Sequence, residues 1–188
     1  VSWYAPHLER SLELIGRATR DRNAAIIDVG GGESTLVDDL LADGYEHITV
    51  LDISATAIEV AKERLGPQAS KVEWLTGDVT RIQLPAQNYD VWHDRAVFHF
   101  LTDPSERARY VALVQRSVKP GGHVIVATFG PQGPVKCSGL DVHRYDSESL
   151  HSEFSPHFRL VESFLDVHHT PAGSEQQFLY CYCIRKPE

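Results

Sequence analysis

The chain has 188 residues, with 18 Lys+Arg against 26 Asp+Glu for a formal net charge of −8, 42% hydrophobic residues and 23% charged ones. That length suits one domain, and that composition supports a buried core and excludes wholesale disorder. The acidic balance and the lack of any basic run exclude a nucleic-acid partner, whose binding rests mostly on Lys and Arg neutralising phosphates.

No apolar stretch approaches the roughly 20 residues that span a bilayer, and Val1 to Pro6 lack a basic-then-apolar signal, so no membrane association and a cytoplasmic location are expected. Three cysteines, Cys137 alone and Cys181 and Cys183 flanking Tyr182, do not make a disulfide framework, which fits a reducing compartment. The chain starts at Val1 and contains no Met, which leaves room for N-terminal sequence, and with it a lid, ahead of it.

In chain order, Pro6 to Thr19 places Leu8, Leu12, Leu14, Ile15 and Ala18 near helical spacing and predicts an amphipathic helix. Residues 1–20 are read as an N-terminal helix and lid region, in which Trp3 and Tyr4 either close over a cationic ligand or anchor the helix. Ala24 to Val29 is a short apolar run ending at Gly30-Gly31-Gly32, and Leu36, Val37, Leu40 and Leu41 return to helical period: strand, glycine turn, helix. Ile48 to Asp52 repeats the strand, Ser54 is a good N-cap, and Ala57, Ile58, Ala61 and Leu65 form a helical stripe closed by Gly66-Pro67. Val72 to Leu75 and Tyr89 to Asp94 read as strands, Pro104 to Val118 as a helix, and Lys119-Pro120-Gly121-Gly122 breaks into the strand His123 to Phe129. Gly130 to Leu140 reads as a long loop, a helix starts near Asp146 or Ser147, and Phe158 to Val167 and Gln177 to Ile184 form an antiparallel closing pair. Strands alternating with helices imply right-handed crossovers and a doubly wound, mostly parallel α/β sheet in a single domain.

In such a sheet the ligand crevice lies beyond the carboxyl ends of the strands. The chain decorates that edge with Gly30-Gly31-Gly32, Asp52, Asp78 and His93-Asp94-Arg95. Glycines there let a ligand approach backbone N–H groups, and a carboxylate about 20 residues further on is placed to hold a ribose diol. Asp78 is placed to accept from an exocyclic amine such as that of adenine. The third glycine of a dinucleotide fingerprint is missing, and Asp28 sits where a pyrophosphate would be unwelcome, so a nucleoside cofactor without phosphates fits better.

Ile26-Ile27-Asp28-Val29-Gly30-Gly31-Gly32-Glu33-Ser34, Val50-Leu51-Asp52-Ile53-Ser54, Gly77-Asp78-Val79, Tyr89-Asp90-Val91-Trp92-His93-Asp94-Arg95 and Val118-Lys119-Pro120-Gly121-Gly122-His123 resemble, in order and spacing, the successive motifs of class I S-adenosylmethionine-dependent methyltransferases. Ser34 stands where many members have glycine. The resemblance implies a Rossmann-like seven-stranded sheet of order 3-2-1-4-5-7-6 with the last strand antiparallel, spanning residues 1–188 as one domain. It implies S-adenosyl-L-methionine as cofactor and S-adenosyl-L-homocysteine as product. The cofactor-binding set it implies is Asp28, Gly30, Gly31, Gly32, Asp52, Ile53, Asp78, Val79, His93 and Asp94. Within that set, Gly30 and Gly32 would lie against the methionine portion, Asp52 on the ribose, Asp78 and Val79 at adenine, and His93-Asp94 near the ammonium.

A sulfonium is already a good leaving system, so such a protein mainly aligns the acceptor and excludes water. Candidate catalytic residues come from the loops after strands four and five: His99 as a base, Asp94, Arg95 for an anionic substrate group, and Cys137 against a soft acceptor. His143 and Arg144 are similar candidates. Metal is not expected, because His168, His169, Cys181 and Cys183 lack zinc-type spacing. The expected function is methyl transfer to a small-molecule acceptor, a thiol or other soft nucleophile. One alternative is a protein-lysine methyltransferase, since Asp94-Arg95-Ala96-Val97-Phe98 is similar to an Asp-Lys-Gly-Thr-Phe turn in one branch of those enzymes; another is non-catalytic cofactor binding.

Overall fold

The structure, a computed structural model, describes residues 4–187. Its strands are β1 (Ala25–Val29), β2 (His47–Asp52), β3 (Val72–Thr76), β4 (Tyr89–Arg95), β5 (Val118–Phe129), β6 (Lys136–Cys137), β7 (Leu140–Asp141), β8 (Phe158–His169) and β9 (Glu175–Arg185). Seven of them make one sheet in the order β3-β2-β1-β4-β5-β9-β8, and β6 pairs only with β7. The order is the expected one, the last two numbers shifted by the intervening hairpin. β1 to β5 pair in parallel, whereas β9 runs antiparallel to both β5 and β8.

The near-continuous apolar runs of β1, β2 and β4 follow from burial on both faces. Alternate residues of each strand serve opposite faces. Ile26, Val50, Val91 and Ile125 pack with Leu14 and Ile15 of helix α1 (Glu9–Ala18) and Leu36, Val37 and Leu40 of α2 (Leu36–Ala42). Ile27, Leu51, Trp92 and Val124 pack with Tyr110, Leu113 and Val114 of α4 (Pro104–Ser117) and Leu150 and Phe154 of α5 (Ser147–Phe154). Between them in sequence, α3 (Ala55–Leu65) starts where Ser54 Oγ accepts from the Ala57 amide at 3.1 Å, the expected N-cap. The Asp146 side chain and Ser149 form a reciprocal cap that fixes the start of α5 at Ser147.

Two expectations are corrected. The loop over 130–140 contains the β6–β7 hairpin, closed by Ser138 (φ 51°) and Gly139 (φ 82°), a two-residue turn with both central residues left-handed. β5 begins at Val118 rather than His123, because Gly121 at φ 77° and a register shift between Tyr89 and Val91 let the chain bulge and stay paired. Among the described residues, no helix is long and apolar enough to cross a membrane.

Candidate active site

A cleft of about 480 Å³ opens at the carboxyl ends of β1 to β4, within the size range of small-ligand sites. Its floor is the turn after β1. Gly30 has φ 73°, and a Cβ there would fall 2.1 Å from Val97 Cγ2, so both backbone conformation and the approach of the β4 loop demand glycine.

The end of the cleft expected to take the nucleoside is built by β2 and β3. Asp52 Oδ2 accepts from the Gly32 amide at 3.0 Å and Oδ1 from the Ser54 amide at 2.8 Å, which fixes the carboxylate at the cleft wall while each oxygen keeps a second lone pair. Next to it Ile53 leaves 74% of its surface exposed on the cleft, an apolar face suited to a planar base. Asp78 Oδ1 accepts from the Thr80 hydroxyl at 2.7 Å and the Thr80 amide at 2.8 Å, and the hydroxyl bond is the chief reason its carboxyl is held below the usual range. Val79 packs beside it, 8% exposed. These donors, acceptors and apolar faces fit a phosphate-free nucleoside.

The β1–β4 pairing sets Asp28 opposite His93, and His93 Nδ1 donates to Asp28 Oδ1 at 2.7 Å. Both residues are buried and both line the cleft, while Asp28 Oδ2 has no partner among the described residues.

At the other end the walls are Leu8 and Ala5 ahead of α1, Ala96, Val97, Phe100 and Leu101 after β4, and Cys137 and Leu140 of the hairpin. This wall is apolar apart from Ser138 of the hairpin turn and Arg95, whose guanidinium carbon lies 4.3 Å from the centroid of the Phe178 ring. Burial pushes the Cys137 thiol up, so it stays protonated at neutral pH. Ala96 holds φ 73°, a left-handed conformation that costs a non-glycine residue energy and recurs at functional turns.

Three expected site residues do not line the cleft: Gly32, whose amide is spent on Asp52, and Asp94 and His99. Asp94 follows His93 by one position and therefore points to the opposite face of the sheet, where it accepts from the Tyr110 hydroxyl at 2.5 Å and from the Val97 and Phe98 amides at 2.9 and 3.0 Å. It is fully buried, burial raises it to about 6, and it holds the β4 loop in shape without lining the cleft. His99 is fully buried against Phe100 and Phe129, its Nδ1 accepting from the Phe129 amide at 3.1 Å, and burial holds it down to about 3. Neither reaches the cleft wall. Trp3 lies outside the described residues, Tyr4 is 39% exposed, and neither His143 nor Arg144 lines the cleft. Cys181 and Cys183 put their sulfurs 3.5 Å apart inside the core, and among the described residues no group of three or more His, Cys, Asp and Glu is placed to hold a metal ion.

Arg95 and Cys137 were expected on this wall; the residues missed in the sequence are its apolar members, Leu8, Leu101 and Leu140 among them, and Ser11. The latter carried a signal: it is the polar residue within the buried stripe of α1.

Residues 26–122, just over half of the chain, match a family described as methyltransferase domain. The chain belongs to that family, and its motifs and sheet order are those of the class I S-adenosylmethionine-dependent methyltransferases. Among sequence relatives, the eEF1A lysine and N-terminal methyltransferase of Mus musculus is 29% identical over 129 residues, 65% of this chain and 18% of that protein. A ubiquinone/menaquinone biosynthesis C-methyltransferase of Methylobacterium nodulans is 29% identical over 137 residues, 71% of this chain and 52% of that protein. The chain thus spans a fifth to a half of these relatives' lengths. A solved S-adenosylmethionine-dependent methyltransferase of Methanosarcina mazei superposes with a TM-score of 0.79 at 18% identity, covering 93% of this chain and 98% of that one, which establishes the shared fold.

Proposed function

We propose that this chain transfers the methyl group of S-adenosylmethionine to a small-molecule acceptor that brings its own nucleophilic electron pair, a thiolate or another soft nucleophile. When bound, the cofactor supplies an electrophilic methyl on a sulfonium. Asp52 would hold the ribose diol, Ile53, Asp78 and Val79 the adenine, and the glycine turn with Asp28 and His93 the methionine portion. Leu8, Phe100, Leu101 and Leu140 exclude water and confine the acceptor, which supplies proximity, while Arg95 adds positive charge to that wall.

The observation that carries the choice of acceptor is that, among the described residues, the carboxylates and imidazole lining the cleft, Asp28, Glu33, Asp52, Asp78 and His93, come from the strand ends and the glycine turn and not from the segments that form that wall. Cys137 is held neutral, and His99 and Asp94 lie outside the cleft. A soft anionic nucleophile needs no base on that wall, whereas a neutral hydroxyl or an ammonium does. A second reading, protein-lysine methylation, is favoured by the eEF1A-directed relative and by Ala96, which takes a glycine-like φ in the turn similar to Asp-Lys-Gly-Thr-Phe.

The cofactor assignment is tested by calorimetric titration with S-adenosylmethionine. Asp52→Ala removes the paired acceptors and should weaken binding by about tenfold or more, the worth of one charge-assisted hydrogen bond. Equal affinity for variant and parent would contradict the assignment.

A further inference from the structure

Helix α1 carries one polar side chain into its buried face. Ser11 is fully buried, its hydroxyl meets His93 Nε2 at 2.8 Å, and the Tyr180 hydroxyl lies 3.5 Å away. The other ring nitrogen, Nδ1, is the one bound to Asp28 Oδ1 at 2.7 Å. A carboxylate can only accept, so Nδ1 carries a proton, and the imidazole is pinned at both nitrogens. Asp28 Oδ2 is left buried and without a partner among the described residues. It occupies the space a Cβ on Gly31 would take, 2.3 Å from that position, directly beneath the glycine turn.

An unsatisfied buried carboxylate oxygen is expensive, and one on a ligand cleft is satisfied most strongly by a cationic N–H donor that the ligand brings. Asp52 draws the Gly32 and Ser54 amides and Asp78 the Thr80 amide and hydroxyl. Asp28 Oδ2 draws none among the described residues. We propose that Ser11 and His93 are positioning residues for the cofactor: the relay Ser11–His93–Asp28 presents Asp28 Oδ2 to the ammonium of S-adenosylmethionine and makes the docking of α1 part of the cofactor site. This rests on the cofactor reading above. Carboxylate, imidazole and hydroxyl stand in the order of a hydrolase nucleophile, but Ser11 is sealed in the core and does not line the cleft, so its hydroxyl orients and does not attack.

The test is titration of the parent, Ser11→Ala, Ser11→Thr and His93→Asn with two probes. S-adenosylhomocysteine carries the ammonium; 5′-methylthioadenosine shares the nucleoside and thioether but lacks the amino-acid end. Ser11→Ala should weaken S-adenosylhomocysteine about tenfold while 5′-methylthioadenosine stays within about twofold, since one charge-assisted bond is lost. Ser11→Thr, which keeps the hydroxyl, should restore most of the difference. S-adenosylhomocysteine should also slow amide exchange across α1 in the parent and not in Ser11→Ala. His93→Asn keeps a donor to Asp28 but falls short of Ser11, and should show the same selective loss should Ser11→Ala not fold. Unchanged affinity for S-adenosylhomocysteine, or equal losses for both probes, would overturn the relay and leave Ser11 a packing residue. A parent that binds neither probe would overturn the cofactor reading instead.

Discussion

Asp52 and Asp94 both end a parallel strand beside the same crevice, yet their surroundings give them opposite work. Asp52 takes two backbone donors and keeps lone pairs facing the cleft, whereas Asp94 spends its oxygens on Tyr110, Val97 and Phe98 in the core. Desolvation raises Asp94 from 3.8 to about 6, so between those values the folded chain binds a proton that the unfolded chain releases. Its contribution to stability is therefore greatest below pH 3.8 and falls as pH rises through 6. His99 has the opposite sign. Lowered from 6.5 to about 3, it refuses a proton that the unfolded chain takes up, so stability is lost as pH falls through that interval. The two partly cancel across the mildly acidic range. Urea midpoints measured from pH 4 to 7 should rise more steeply with pH in Asp94→Asn than in the parent, and less steeply in His99→Asn; identical slopes in all three would contradict the burial of these charges. Because His99 lies outside the cleft, His99→Asn should also retain turnover within about threefold, far short of the 10²-fold or greater loss that follows removal of a general base.

At the scale of elements, the wall proposed for the acceptor depends on a six-residue hairpin, residues 136–141. Cys137 and Leu140 face the cleft because Ser138 and Gly139 reverse the chain between them, both left-handed. A Cβ at Gly139 would meet nothing within 4 Å, so a substitution there acts through the backbone alone. Gly139→Val should loosen this wall at a cost of about 1–2 kcal/mol. The expected result is a several-fold higher KM for the acceptor with S-adenosylhomocysteine affinity unchanged, and a loss of cofactor affinity with no effect on KM would contradict the division of the cleft. This hairpin was hidden in the sequence because each strand is two residues long, too short for alternation to register. The long elements were legible: apolar runs marked the buried strands, Ser54 and Asp146 marked helix starts, and glycines and acidic residues marked the strand ends. Period-two alternation in β4 also carried the separation of His93 from Asp94, a distinction that motif resemblance blurs.

The whole molecule places the carboxylates Asp52 and Asp78 and a largely apolar wall on one cleft, and α1 packs behind it through Ser11 against His93. What the sequence could not disclose is the part made by contacts distant in the chain: His93 meets Asp28 65 positions away and Ser11 82 positions away, and neither pairing follows a local pattern. The proposed acceptor chamber is similarly assembled from three separate segments, so its largely apolar character emerges only once the sheet order brings them together. The most direct measurement is to incubate the protein with methyl-labelled S-adenosylmethionine and a cell extract, with Asp52→Ala as control, and follow the label through macromolecular, small-molecule and volatile fractions. Label in the small-molecule or volatile fraction, lost with Asp52→Ala, is the predicted result; label retained on protein, or bound cofactor with no transfer at all, would contradict it.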